Sequence, residues 1–164
     1  MEPFVNDLSR VEKSRLFGYI GRDGLEKVHA TYDSISSFED SGLARTLKNG
    51  KYGLVDKNGH EVVISTYDTM GPVSDNLYAV SLDGKYGYMD TTGKIVIKLK
   101  YDEALPFING LAPVRKKDRW GAIDSTGHTV IPIKYDPIEN LSEDTITVTK
   151  NGEPTIYNRL GKKL

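Results

Sequence analysis

With 164 residues, no cysteine, and 22 basic against 23 acidic side chains, the chain has room for one domain with a sizeable core and no means of building disulfides or thiolate metal sites. A mean hydropathy of −0.44 and the lack of any apolar run near the roughly 18 residues of a spanning helix argue against a membrane class, and a formal charge of −1 argues against nucleic acid or anionic lipid as partner. Met1 to Asp7 show no basic cap followed by an apolar core, so no secretory leader is expected and cytoplasmic residence is.

From its first residues the chain copies itself. Pro3-Phe4-Val5-Asn6-Asp7-Leu8 is answered by Pro106-Phe107-Ile108-Asn109-Gly110-Leu111. Lys51-Tyr52-Gly53-Leu54-Val55-Asp56 returns after 34 residues as Lys85-Tyr86-Gly87-Tyr88-Met89-Asp90 and after another 34 as Arg119-Trp120-Gly121-Ala122-Ile123-Asp124. A weaker copy, Leu16-Phe17-Gly18-Tyr19-Ile20-Gly21, stands 35 residues ahead of the first of these. So regular a period marks a tandem-repeat architecture. A single domain spanning 1–164 is expected, built of units at approximately 3–35, 36–70, 71–104, 105–138 and 139–164, the last degenerate.

Within each unit the elements follow one order. A strand c opens after a residue suited to positive φ, in turn Asp7, Gly42, Asn76, Gly110 and Asp144. Asn49-Gly50, Asp83-Gly84 and Asn151-Gly152 then suit a two-residue type I′ turn into strand a, which holds the aromatic-glycine pair. Strand a ends at Asp56, Asp90 or Asp124, each followed by x-x-Gly, a pattern in which the carboxylate caps the turn amides. Strand b is β-branched, as in Val62-Val63-Ile64, Ile95-Val96-Ile97 and Val130-Ile131-Pro132-Ile133, and is followed by Tyr-Asp at Tyr32, Tyr67, Tyr101 and Tyr135. A loop carrying an apolar anchor, Phe38, Val73, Phe107 or Leu141, leads to the next unit. The expected fold is therefore all-β, each unit a three-stranded antiparallel meander, with the units arranged as a small propeller-like ring or an open β-solenoid.

A glycine inside a strand weakens it, so Gly18, Gly53, Gly87 and Gly121 call for a compensating close approach, expected from a ring or backbone of the adjacent unit. In the fifth copy Pro154-Thr155 erase the pair, as suits a terminal unit with no successor or one that closes on the first.

The pattern Gly-Lys-Tyr-Gly-Tyr-Met-Asp-x-x-Gly-Lys-x-Val-Ile, then Tyr-Asp, then Phe-x-x-Gly-Leu-Ala-x-Val, resembles the WG-repeat (KWG-repeat) proteins found mainly in bacteria. The likeness covers essentially the whole chain and is most specific from Lys51 to Asn151; Phe17 and Gly21 depart from it in the first copy. It implies a β-repeat array used as an interaction module, in some bacterial settings as a toxin-neutralising neighbour, and it implies no catalytic residues.

Candidate sites follow from the pattern and from its breaks. The row Asp56, Asp90, Asp124 invites cation binding or acid-base chemistry, but its fixed offset from the turn glycine favours capping. Tyr52, Tyr86 and Trp120 would be stacking platforms in a carbohydrate or small-ligand binder. His29, His60 and His128 are too scattered for a metal site. No cofactor motif is present. Tyr78 stands where other units carry Ser9, Ala44, Ala112 or Ile146, and Leu82 stands where Lys13, Lys48, Lys116 and Lys150 are charged. Since Tyr78, Val80 and Leu82 share strand parity, the third unit is expected to expose an apolar stripe to a protein partner. The functional expectation is a non-enzymatic protein-binding module, an immunity or inhibitor protein acting on a toxin or effector. Alternatives are the carbohydrate binder and a hydrolase using the aspartate row.

Overall fold

The computed structural model describes residues 2–138, 140–142 and 144–164; the expected start of the fifth unit, at 139, lies outside them. Among the described residues every regular element is a strand, and no helix is long and apolar enough to cross a membrane. Strand c is β1 (Leu8–Lys13), β5 (Leu43–Lys48), β9 (Leu77–Leu82), β13 (Leu111–Lys116) and β17 (Thr145–Lys150). Strand a is β2 (Leu16–Gly21), β6 (Lys51–Asp56), β10 (Lys85–Asp90), β14 (Arg119–Asp124) and β18 (Glu153–Asn158). Strand b is β3 (Glu26–Tyr32), β7 (Glu61–Tyr67), β11 (Ile95–Tyr101) and β15 (Thr129–Tyr135).

The expected meander recurs in the first four copies, the fifth showing strands c and a among the described residues, and a further strand joins the last four. The stretch after Tyr-Asp, expected as loop, forms β4 (Ser34–Ile35), β8 (Thr69–Ser74), β12 (Glu103–Ala104) and β16 (Asn140–Leu141). The sheets run β1-β2-β3, β4-β5-β6-β7, β8-β9-β10-β11, β12-β13-β14-β15 and β16-β17-β18. The added strand satisfies backbone groups on the outer edge of strand c, which a three-stranded sheet would leave to water. Where it is two residues long, no alternation can show in the sequence. Four-stranded antiparallel sheets of this kind are the blades of β-propellers.

The turns follow the residue chemistry. Asn49-Gly50, Asp83-Gly84 and Asn151-Gly152 all have positive φ at both positions, between 52° and 85°. Ser14-Arg15 takes the same shape without a glycine, at 53° and 67°.

The reason for the strand-a glycine differs from the expectation. A Cβ on Gly18, Gly53, Gly87 or Gly121 would lie 2.4–2.5 Å from the carbonyl oxygen of Val28, Val63, Ile97 or Ile131. The close approach thus comes from strand b of the same sheet, whose register shifts across the glycine and again just after the next residue, because the extra residues of the bulge fold over the missing side chain. The contact from a neighbouring copy falls instead on the turn glycine. A Cβ on Gly59 would meet the Lys27 carbonyl at 2.4 Å, and one on Gly161 the Val130 carbonyl at 2.5 Å.

The chain divides inside β8 into two compact units, Met1–Met70 and Gly71–Leu164. In the first, Leu8, Tyr19, Val28 and Tyr32 of the first sheet form a core with Ile35, Ala44 and Val55 of the second. In the second, Leu77, Ala79, Tyr88, Ile97 and Tyr101 pack on Phe107, Ala112, Val114 and Ile123. There the opposite face of the fourth sheet, with Leu111, Ala122, Ile131 and Tyr135, packs on Ile146, Val148 and Tyr157.

Candidate functional site

The recurring polar positions of the repeat serve the scaffold. Asp56, Asp90 and Asp124 each turn one carboxylate oxygen to two amides of their own turn, at 2.8–3.1 Å: those of Asn58 and His60, Thr92 and Lys94, Thr126 and His128. In the fifth copy Asn158 accepts from Leu160 and Lys162 in the same way, at 3.0 and 2.9 Å. In the first, where Gly21 replaces the aspartate, Asp23 accepts from Leu25 at 3.1 Å. All three aspartates sit below the usual carboxylate range. For Asp90 the Thr92 hydroxyl is the largest cause; for Asp56 and Asp124, slight burial that pushes the carboxyl up is outweighed by the bonds of the turn. A general acid needs the opposite shift.

The sign gives a pH prediction. A carboxyl whose folded pKa is depressed contributes stability that is present above its unfolded pKa and fades as pH falls through the folded one. Asp90→Asn keeps an acceptor of the kind Asn158 uses, so it is expected to change Tm by under about 3 °C at pH 7. The loss of Tm between about pH 4 and pH 2 should be shallower in the variant than in the parent. Thermal melts across that range check it, and an unchanged acid limb would refute the capping role.

The Tyr-Asp carboxylates join one copy to the next. Asp102 accepts from the Lys85 ammonium of its own sheet and from the Lys117 amide in the following hairpin, both at 2.5 Å. Asp136 accepts from the Arg119 guanidinium and, at 3.0 Å, from the Asn151 amide. In the first unit Asp33 takes the Asn49 amide at 2.6 Å, and Asp68 pairs with Lys51. The Lys85 ammonium, followed by the Lys117 amide, holds the Asp102 carboxyl low. Aromatic joints run parallel to these. Tyr19 meets Phe38 at 4.9 Å between ring centroids, and its hydroxyl donates to the Ser36 carbonyl at 2.9 Å. Tyr88 meets Phe107 at 4.7 Å and donates to the Leu105 carbonyl at 2.7 Å.

The expected partner stripe is corrected. Tyr78 and Val80 are fully buried and Leu82 is half-buried, because β9 is covered on both faces from Leu77 to Ser81. Their counterparts Ala112 and Val114 lie in the core of the second unit. The substitution of Tyr78 for a small residue is a change of core volume, and no solvent face exists there to carry a stripe.

Phe17, Tyr52, Tyr86 and Trp120 are half-buried. Each stands opposite the tyrosine that ends strand b: Tyr32, Tyr67, Tyr101 or Tyr135. They are cross-strand aromatic pairs, one to a sheet. The histidines are exposed, His60 and His128 each beside the turn aspartate. Among the described residues no group of three His, Cys, Asp or Glu side chains is placed to hold a metal ion.

Some exposed apolar side chains break the repeat. Leu160 is 89% exposed, at the turn position where Asp23, Asn58, Thr92 and Thr126 are polar. The neighbouring Arg159 fixes that turn, donating to the carbonyls of Ile108 at 2.9 Å and Asn109 at 3.0 Å and to that of Ser142. Ile108, whose carbonyl Arg159 holds, is itself 47% exposed. The signal was available in the sequence as a leucine in a row of turn residues.

The aromatic at the second residue of the first four strands a is also where the family pattern begins. The profile of the WG containing repeat matches four times end to end, over residues 17–52, 52–86, 86–120 and 120–153. The chain belongs to the WG-repeat family. No curated sequence matches this WG-repeat chain closely. Among solved structures it is similar to a eukaryotic initiation factor, with a TM-score of 0.57 at 9% identity over 94% of this chain and 50% of that one. It is also similar to Hsv2 of Kluyveromyces lactis, with a TM-score of 0.53 at 10% identity over 96% and 58%. The WG-repeat chain thus spans about half the length of these structures, and at such identities the likeness is one of fold. A WG-repeat β fold of this kind suits a binding module.

Proposed function

We propose that this WG-repeat chain is a non-enzymatic protein-binding module, acting in the bacterial cytoplasm as an immunity or inhibitor protein that neutralises a toxin or effector by covering its active surface. The observation that carries the reading is a division of labour. The recurring aspartates, tyrosines and glycines are engaged in turns and joints, while a side chain that breaks the repeat, Leu160, faces solvent on a turn held by Arg159. A pre-ordered apolar anchor loses little conformational entropy on binding, the usual property of an interface hot spot. The aspartate row, occupied by amides and low in pKa, supports this reading over a hydrolase.

The test is co-purification of the tagged chain with the product of a toxin gene adjacent to its own, followed by titration. A one-to-one complex is expected, weakened at least about tenfold by Leu160→Asp with Tm unchanged. A neighbouring toxin that neither binds the chain nor loses activity in its presence overturns the proposal.

A further inference from the structure

The last strand a, β18, differs from its counterparts in the second unit at the two positions that receive strand b. In the third and fourth sheets the outer edge of strand a is taken by β11 and β15, and their backbone passes within 2.4 Å of where a Cβ on Gly87 or Gly121 would be. In β18 that position is Thr155, opposite Val148 as Gly121 is opposite Val114. A real Cβ there fills the space through which the strand-b carbonyl runs in the glycine-bearing sheets.

Beside it, Pro154 stands where Trp120 stands. Lys150 and Glu153 close the two-residue hairpin at Asn151-Gly152, and antiparallel alternation then turns the nitrogen of Pro154 and the backbone groups of Ile156 to the outer edge. The Ile156 carbonyl does point that way, accepting from the Leu164 amide at 2.9 Å, and Tyr157 bridges to Lys163 as Met89 pairs with Ile95, so Lys163 and Leu164 already lie along this end of the edge. Pro154 has therefore removed a donor from the edge that a fourth strand would use. The rest of the sheet agrees. In β17, Thr145, Thr147 and Thr149 are half-exposed and alternate with buried Ile146 and Val148, whereas β9 and β13 are buried on both faces over most of their length. One face of the fifth sheet is built for water.

We infer that Pro154 and Thr155 form a two-residue stop that confines strand-b pairing on β18 to its Ile156–Asn158 end. Past the bridge of Tyr157 to Lys163 no strand-b segment pairs on β18 as β11 pairs on β10, whether it comes from residues beyond Leu164, a second copy or another protein. An unprotected edge from Glu153 to Thr155 would be a template for aggregation or cross-pairing, and the stop removes it without a covering element. The inference is independent of the proposed function.

The test extends the paired segment in the most favourable way, by copying the six residues Ile97 to Asp102 after Leu164. In the parent background the added amides should exchange with deuterium at free-chain rates and Tm should not move. In the P154W/T155G background, which restores the pair Trp120-Gly121, the added amides and that of Ile156 should be protected more than about tenfold and Tm should rise. Should the double variant not fold, T155G alone must show the protection. Protection of the added strand in the parent background, or free exchange in a folded variant lacking Thr155, overturns the inference.

Discussion

Gly121→Ala is expected to destabilise the chain by about 3 kcal/mol or more and to lower Tm by 10 °C or so. The added methyl would sit 2.4 Å from the Ile131 carbonyl oxygen and 2.8 Å from the nitrogen and Cα of Ile133. All three are backbone atoms, so no side chain can rotate away. The bulge in β15 must open, and with it the pairings of Trp120 to Tyr135 and Ala122 to Ile131. Gly161→Ala makes a useful comparison, since it has both a φ of +77° and a carbonyl 2.5 Å away but lies in a turn, where the chain has more freedom to shift. Circular dichroism melts of the two variants check the order of damage. If Gly121→Ala melts within a degree or two of the parent, the account of the aromatic-glycine pair is wrong.

Phe107→Ala is expected to cost about 3–5 kcal/mol. Phe107 is 1% exposed, lies edge-on to Tyr88 at 4.7 Å, and belongs to the core shared by the third and fourth sheets. Its removal leaves a cavity and also loosens the segment whose Leu105 carbonyl receives the Tyr88 hydroxyl. Burial has pushed the Tyr88 phenol well above the ordinary tyrosine range, so a second readout is available. In Phe107→Ala the ionisation of Tyr88 should return toward that of free tyrosine, visible in a spectrophotometric titration. Denaturant unfolding gives the stability change, and a loss under about 1 kcal/mol would show that the site collapses without needing the ring.

Much of this was legible in the sequence because repetition turns single-residue hints into a pattern. Asp56, Asp90 and Asp124 could be assigned to turns since each precedes glycine at one offset, and the amides they hold are the ones that offset implies. The hairpins at Asn49-Gly50, Asp83-Gly84 and Asn151-Gly152 were legible because few residues adopt positive φ twice in succession. Repetition also hides things. It showed that Gly121 needs a neighbour without showing which, since bulges in β15 depend on tertiary pairing and leave no local signal. It presented Tyr78, Val80 and Leu82 as a face because parity was read as burial on one side only, when β9 is covered on both. The departures that reach solvent include those in turns, such as Leu160, where a change of residue type is not compensated by packing.

Several joints between neighbouring copies are short in chain length. The bonds of Asp102 to Lys117, of Tyr88 to Leu105 and of Asp136 to Asn151 link residues 15 to 17 positions apart. Sheet proteins ordinarily assemble slowly because paired segments are far apart along the polymer and must find one another by diffusion. Within a unit each completed sheet offers its neighbour a docking partner already within reach, so growth there proceeds as a zipper, and relaxation rates nearer those of helical bundles than of β-sandwiches are expected from the arithmetic of loop closure.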